Sequence, residues 1–429
     1  MSSETVRTRH IGDLRIDDHT LTVPLDWGNP DDGRTIDIFA SVVTRPGGED
    51  LPYLTFLQGG PGCEAPRVTH SPTTPDWLDV ALEHYRVVML DQRGTGNSTP
   101  VGDKDLSKGA AFLAEYLTHL RADSIVEDAE ALREHLGAKQ WNTLGQSFGG
   151  FTTLAYLTKH AESLDNVYVT GGLSAVGHHP DDVYGLCYEK MRAYSEAYYR
   201  RFPEHRDVVR SLVGMAERGE IVLPSGEVVS PSRIRSLGHI LGADNGWITL
   251  HNLLERDPRT NAFLYDLEHA LPFGGRDILY YVIHESSYSD GFVTDWSAER
   301  TFPDAFRGDP TLLTGEHVRR EWADTVPAFQ PWKEVIDKIA QVKWPKLYDA
   351  EVLKNSGATG AAAVYVNDCY VPLEFSLETS RLLPGVKTYV TSLHEHNGLR
   401  ASGGAVLRHL IDLAHGRNCL LYTSDAADE

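Results

Sequence analysis

Ser147 lies within Gly145-Gln146-Ser147-Phe148-Gly149-Gly150, between the apolar approach of Trp141 to Leu144 and a helix-like run from Phe151 to Leu157. That order reads as a strand, a sharp turn and a helix. Small residues two before and two after a serine let the backbone turn tightly enough to push the hydroxyl out above a sheet, so the segment is suited to nucleophilic acyl chemistry. A serine hydroxyl is a weak nucleophile until a base takes its proton and a carboxylate orients that base. The chain supplies both, in the order Ser, Asp, His. Asp368 closes the strand-like Val364-Tyr365-Val366-Asn367-Asp368, and His396 follows 28 positions later, in the loop that Asn397-Gly398 marks. Glu374 and Asn367 are the nearest alternatives to Asp368. Asn367 lacks the charge, and Glu374 lies beyond Pro372 in the next segment; of the two neighbouring histidines, His394 is read as packed or exposed.

A tetrahedral intermediate needs backbone N–H donors aimed at its oxyanion. Gln58-Gly59-Gly60-Pro61-Gly62 directly follows a strand-like run, and the donors are assigned to Phe148 and to Gly59 or Gly60. The stretch Asp91-Gln92-Arg93-Gly94-Thr95-Gly96-Asn97-Ser98 lacks the Lys-Ser/Thr of a phosphate loop and the third glycine of a dinucleotide fingerprint. It is read instead as a buried polar corner, in which Asp91 and Arg93 are hydrogen-bonded and hold the oxyanion and elbow loops.

The elements around these residues follow a βαβ rhythm. Residues 19–25 and 35–43 alternate as a starting hairpin across the turn-rich Asn29-Pro30-Asp31-Asp32-Gly33. Apolar runs at 53–57 and 85–90 each end in a glycine-rich loop, as buried parallel strands do. Ile125, Ala129, Leu132 and Leu136 have helical spacing ahead of the strand before Ser147. After the strand at 166–170 the alternation gives way to a stretch rich in Tyr, Trp, Arg and Glu, with helical runs at 184–202 and 251–254. Strand-like runs return at 361–366 and 387–393, and a last helix is expected at 404–415. The organisation read from this is a core in residues 1–175 and 346–418, interrupted by a mostly helical cap at 176–345. The tail 419–429 continues no periodicity and is read as non-native.

With 429 residues, 41% of them hydrophobic, the chain has enough apolar sequence for one large core and a smaller unit, or for two cores. A net charge of −21 argues against nucleic-acid binding, which requires a cationic surface. No stretch approaches the ~20 apolar residues of a membrane helix, and the N-terminus lacks a secretory apolar core, so the expected location is the cytoplasm. Cys63, Cys187, Cys369 and Cys419 show no paired spacing, which argues for reduced thiols and against a cysteine-based zinc site. No cofactor and no metal is expected; His284-Glu285 is not a zinc-binding His-Glu-x-x-His, because position 288 is tyrosine.

Taken together, Gln58-Gly-Gly-Pro-Gly62, Asp91-Gln-Arg-Gly-Thr-Gly-Asn-Ser98, Gly145-Gln-Ser-Phe-Gly-Gly150 and His396-Asn-Gly-Leu-Arg400 resemble the proline iminopeptidases (prolyl aminopeptidases). The resemblance spans most of residues 20–415; Gln58 stands where many members of that family have histidine. It implies an α/β-hydrolase fold, with a mostly parallel central sheet flanked by helices and a helical cap inserted in the second half. It also implies a serine peptidase that removes N-terminal proline from peptides, with the cap recognising the free amine. Such recognition requires cap carboxylates and an apolar slot for the pyrrolidine ring. Glu285, in the apolar run Tyr281-Val282-Ile283-His284-Glu285, is the leading anchor expected, with Glu196, Glu204 and Glu255 behind it. A capped esterase or amide hydrolase of the same fold, and a non-catalytic binding module, are the rival readings.

Overall fold

The computed structural model describes residues 4–417. The tail at 419–429, with Cys419, therefore lies outside the described residues. Among the described residues nine strands form a single sheet: β1 (Glu4–Ile11), β2 (Leu14–Pro24), β3 (Thr35–Thr44), β4 (Tyr53–Leu57), β5 (Arg86–Leu90), β6 (Trp141–Gln146), β7 (Leu164–Thr170), β8 (Thr359–Tyr365) and β9 (Val386–Thr391). Their spatial order is β1-β2-β3-β5-β4-β6-β7-β8-β9. The pairs β1/β2, β2/β3 and β3/β5 are antiparallel, and every pair from β5 to β9 is parallel. The hairpin expected from the alternation is β2 and β3, in register with Thr20 opposite Phe39. Strand β1 was not expected. Val6, Arg7 and Thr8 are all exposed and Ile11 alone of the described side chains of this strand packs against the core, so no apolar alternation reveals it.

The inner parallel strands β4 to β8 bury both faces, as strands covered by helices on two sides do, whereas the edge strand β9 leaves Lys387, Thr388 and Val390 exposed. Leu54, Phe56, Val87, Met89, Leu144, Ala361 and Ala363 face one layer, under the helices Leu78–Leu82 and Ala405–Ala414. Val406, Leu407, Leu410 and Ile411 of the last helix are buried there, each worth roughly 1.5–3 kcal/mol of removed apolar surface. Leu57, Val88, Leu90, Val167 and Val169 face the other layer, under the helices Ala122–His135 and Phe148–His160. This second layer continues into the long segment between β7 and β8.

That segment is mostly helical. Its longest helix, Pro180–Arg201, starts on a proline after the capping side chain of His179, which accepts the N–H of Asp181. Helices His205–Glu217, Gly246–Leu254 and Asn261–Ala270 follow, with an isolated strand bridge between Val222 and Val228. Tyr184, Tyr188, Trp322 and Trp332 form a buried aromatic interior. The polar loops at the C-terminal ends of β4, β6, β8 and β9 open toward this cap. Function in such sheets collects at that edge.

Candidate active site

The elbow begins with the backbone. Ser147 has φ 56° and ψ −124°, a conformation costing an L-residue about 1–3 kcal/mol. Its neighbours make the turn possible. A Cβ at Gly149 would lie 1.8 Å from the carbonyl oxygen of Leu57, and one at Gly145 would lie 2.4 Å from that of Gly149. The turn is fastened by the Ser147 N–H donating to Thr170 O (3.0 Å) and the Gly150 N–H donating to Ser147 O (2.7 Å). Phe148 then opens the helix, placing its N–H among the first-turn donors that have no partner within the helix.

Asp368 stands in the loop three residues past β8, slightly beyond the strand end expected for it, and is 1% exposed. One carboxylate oxygen accepts the N–H groups of Tyr370 (2.9 Å) and Val371 (2.8 Å); the other is 2.7 Å from Nδ1 of His396. The loop thereby aims the carboxylate before any substrate arrives. Nδ1–H donates to Asp368, which leaves Nε2 of His396 as the acceptor. His396 is buried, which favours its neutral form, but the Asp368 charge and hydrogen bond outweigh this and hold its pKa above the usual value. Ser147 and His396 line the same cavity of about 420 Å³. The alternatives drop out: Glu374 pairs with Lys190 (2.6 Å) on the surface, and the Asn367 carbonyl accepts from Tyr194. His394 is tied to Asp244 at 2.7 Å.

Gly59 and Gly60 line the cavity beside Ser147. Gln92 orders them, a role not anticipated from the sequence. Its Nε2 donates to the carbonyl of Gln58 (2.6 Å) and lies 3.5 Å from that of Gly59. In a trans peptide plane the N–H points opposite the C=O, so holding the Gln58 carbonyl fixes the direction of the Gly59 N–H. Asp91 and Arg93 are both buried, each with its own set of partners. Asp91 accepts from Ala65 N–H (3.1 Å), Arg67 (2.8 and 3.1 Å) and Asn97 N–H (2.9 Å). Arg93 instead grips Asp128 (2.6 and 2.7 Å) and the carbonyls of Leu25 and His119. The chain leaves β5 and begins to turn at Arg93, and Asp91 braces the segment after Gly62 while Arg93 ties the end of β2 to the helix Ala122–His135.

The expected cap anchors are also relocated. Glu285 is buried, but its carboxylate accepts the N–H groups of Ser297 (3.1 Å) and Ala298 (3.0 Å), capping the short helix Ser297–Arg300. Burial pushes its pKa up to about 7 against those hydrogen bonds. Glu196 pairs with Arg192 at 3.4 Å, while Glu204 and Glu255 flank His205 at 3.9 and 3.0 Å. None of the four lines the cavity. The carboxylate that does is Glu316. It accepts from the hydroxyls of Tyr280 and Tyr288 (3.2 Å) and lies 3.7 Å from His239 and 4.0 Å from His284. Burial opposes its ionisation, yet the surrounding imidazoles, His239 foremost, hold its pKa down at about 2. Burial meanwhile lowers His284 to about 4. Ile240, Tyr280 and Tyr370 give the same cavity an apolar wall. Cys63 also lines it, and burial raises its thiol to about 12, so it offers no competing thiolate.

The sheet order, the elbow and the Ser, Asp, His sequence define an α/β hydrolase, and residues 52–218 match the family model described as the alpha/beta hydrolase fold. An esterase from Exiguobacterium antarcticum aligns over 89% of this chain and 96% of its own, at 13% identity and a TM-score of 0.41. The sequence relatives narrow the class. The chain is 36% identical over 420 residues to a proline iminopeptidase of Aeromonas sobria, covering 95% of this chain and 97% of the relative. It is 27% identical to one from Aspergillus aculeatus, with 95% of each covered. The chain belongs to the proline iminopeptidase family.

Proposed function

We propose that this chain is a cytoplasmic serine aminopeptidase that releases proline from the free N-terminus of peptides. The observation that carries the reading is the carboxylate of Glu316 in the cavity that also holds Ser147 and His396. An acid there selects a substrate whose ammonium lies beside the scissile carbonyl, and the wall of Ile240, Tyr280 and Tyr370 suits an apolar ring. A location in the cytoplasm accords with the unpaired Cys63, Cys187 and Cys369. Among the described residues no helix is long and apolar enough to cross a membrane.

His396 takes the Ser147 proton as the hydroxyl attacks the prolyl carbonyl, and Asp368 stabilises the resulting imidazolium. The N–H groups of Gly59 or Gly60 and of Phe148 receive the oxyanion. His396 then protonates the leaving amine, and water, deprotonated by the same imidazole, hydrolyses the acyl-enzyme. The decisive experiment compares prolyl anilide, its N-acetylated form and a simple acyl ester with the wild type and Ser147→Ala. Prolyl anilide should be preferred, acetylation should remove activity, and Ser147→Ala should fold yet neither turn over nor take a fluorophosphonate label. Equal rates on free and acetylated substrate would leave an esterase or amide hydrolase without amine specificity.

A further inference from the structure

Two cap helices bring four metal-ligating side chains together outside the catalytic cavity. His251 and Glu255 are four residues apart, at the end of the helix Gly246–Leu254, and so share one face. Glu204 and His205 open the helix His205–Glu217. One donor atom from each of the four lies within 4.8 Å of the other three. The histidines are held by packing: His205 is fully buried, and the His251 ring stacks on Phe202 (4.4 Å between centroids) and on His205 (4.9 Å). The Nδ1 of His251 is buried without a hydrogen-bond partner. The glutamates are the adjustable half, with side chains 59% and 55% exposed.

We propose that Glu204, His205, His251 and Glu255 bind a single zinc ion that ties these two helices together. Two imidazoles and two carboxylates form a four-ligand N and O set of the kind zinc accepts in tetrahedral geometry, with bonds of about 2.0–2.2 Å. The carboxylates balance the dication, and the imidazole pair disfavours calcium and magnesium, which take oxygen ligands. Exposed glutamate side chains can swing inward to close the shell. Tyr198 supplies the outer support: its hydroxyl is 2.8 Å from Nδ1 of His205, while Nε2 faces Glu255 at 3.0 Å. With Nδ1–H donating to Tyr198, Nε2 presents its lone pair to the ion. The ion would brace the helix whose Thr249 lines the catalytic cavity, without entering the acyl chemistry.

The test is zinc titration of the full chain, freed of metal by chelator and dialysis, followed by calorimetry, with cobalt(II) substitution read by visible absorption. The expected result is one zinc per chain, a rise in the thermal midpoint with added zinc, and the intense cobalt bands of a tetrahedral site. Glu255→Gln, at an exposed position that leaves the fold intact, and His251→Ala should each weaken binding about tenfold or more. Glu196→Gln, outside the cluster, should bind as the wild type does. Absence of saturable binding below about 1 mM, or wild-type affinity in both Glu255→Gln and His251→Ala, overturns the proposal. So does binding that survives in His251→Ala but is lost in His396→Ala, which would put the ion on the catalytic imidazole.

Discussion

In the proposed mechanism His396 accepts the Ser147 proton only when it is neutral, and the charges around it oppose that state. Burial favours the neutral ring, but Asp368 and, farther off, Glu316 raise its pKa above the ordinary 6.5. Protonation on the acid side removes the base, so kcat/KM for prolyl anilide should fall as pH drops through a midpoint above 6.5. Glu316→Gln separates two roles of that carboxylate. Loss of a charge-assisted bond to the substrate amine, about 1.5–3 kcal/mol, should lower kcat/KM roughly 10- to 150-fold. Removing a negative charge that favours the imidazolium should also move the acid midpoint downward. A pH–rate series on both proteins checks both effects, and an unshifted midpoint with unchanged kcat/KM would remove Glu316 from the site.

At the scale of elements, what could be read from the sequence was what burial and turn geometry force into local pattern. Parallel strands such as β4 and β5 read clearly because two covered faces demand continuous apolar runs, and the elbow because only glycine fits against Leu57 and at position 145. β1 left no such mark, since its side chains at Val6, Arg7 and Thr8 lie in solvent. The cap acids show the limit most sharply. Glu285 was singled out for its apolar flanks, yet Leu312-Leu313-Thr314-Gly315-Glu316-His317-Val318 satisfies the same criterion. Which of the two faces the cavity depends on the helix Ser297–Arg300, whose N-terminal N–H groups claim Glu285, and that packing is not local. Glu285→Gln therefore should act on stability more than on binding. Both of its oxygens accept N–H groups, and an amide turns one acceptor into a donor facing a donor, costing about 1–3 kcal/mol. Because its folded pKa is raised to about 7, the wild-type carboxyl contributes most below its ordinary 4.5 and loses that contribution as pH rises through 7. Denaturation midpoints at pH 5 and pH 8 should show the wild type losing stability between them and the variant losing less, with KM nearly constant. A KM rise comparable to that of Glu316→Gln would return Glu285 to the binding site.

The proposed mechanism requires the cap, which carries Glu316, to keep a fixed distance from the core, which carries Ser147. Asp290 connects the two ends of the insertion. It is 5% exposed; one oxygen accepts the N–H groups of Leu347 (2.7 Å) and Tyr348 (3.2 Å) where the chain leaves the cap, and the other accepts that of Gly177 (3.3 Å) where it enters. Arg121, at the start of a core helix, donates to Ser289 O (3.1 Å) and Pro345 O (2.8 Å) and stacks over Trp344. The neck is thus pinned next to Tyr288, which holds Glu316. Asp290→Ala would strand three N–H groups and should lower stability by about 2–3 kcal/mol, while loosening the register between anchor and nucleophile. Asp290→Asn keeps an acceptor for Leu347 and Tyr348 and gives up only the longest bond, so it should retain most of the stability and of kcat/KM. Urea midpoints and prolyl anilide kinetics on the pair distinguish a pin from a passive buried acid: if Ala and Asn behave alike and near wild type, the cap is held by its aromatic interior alone.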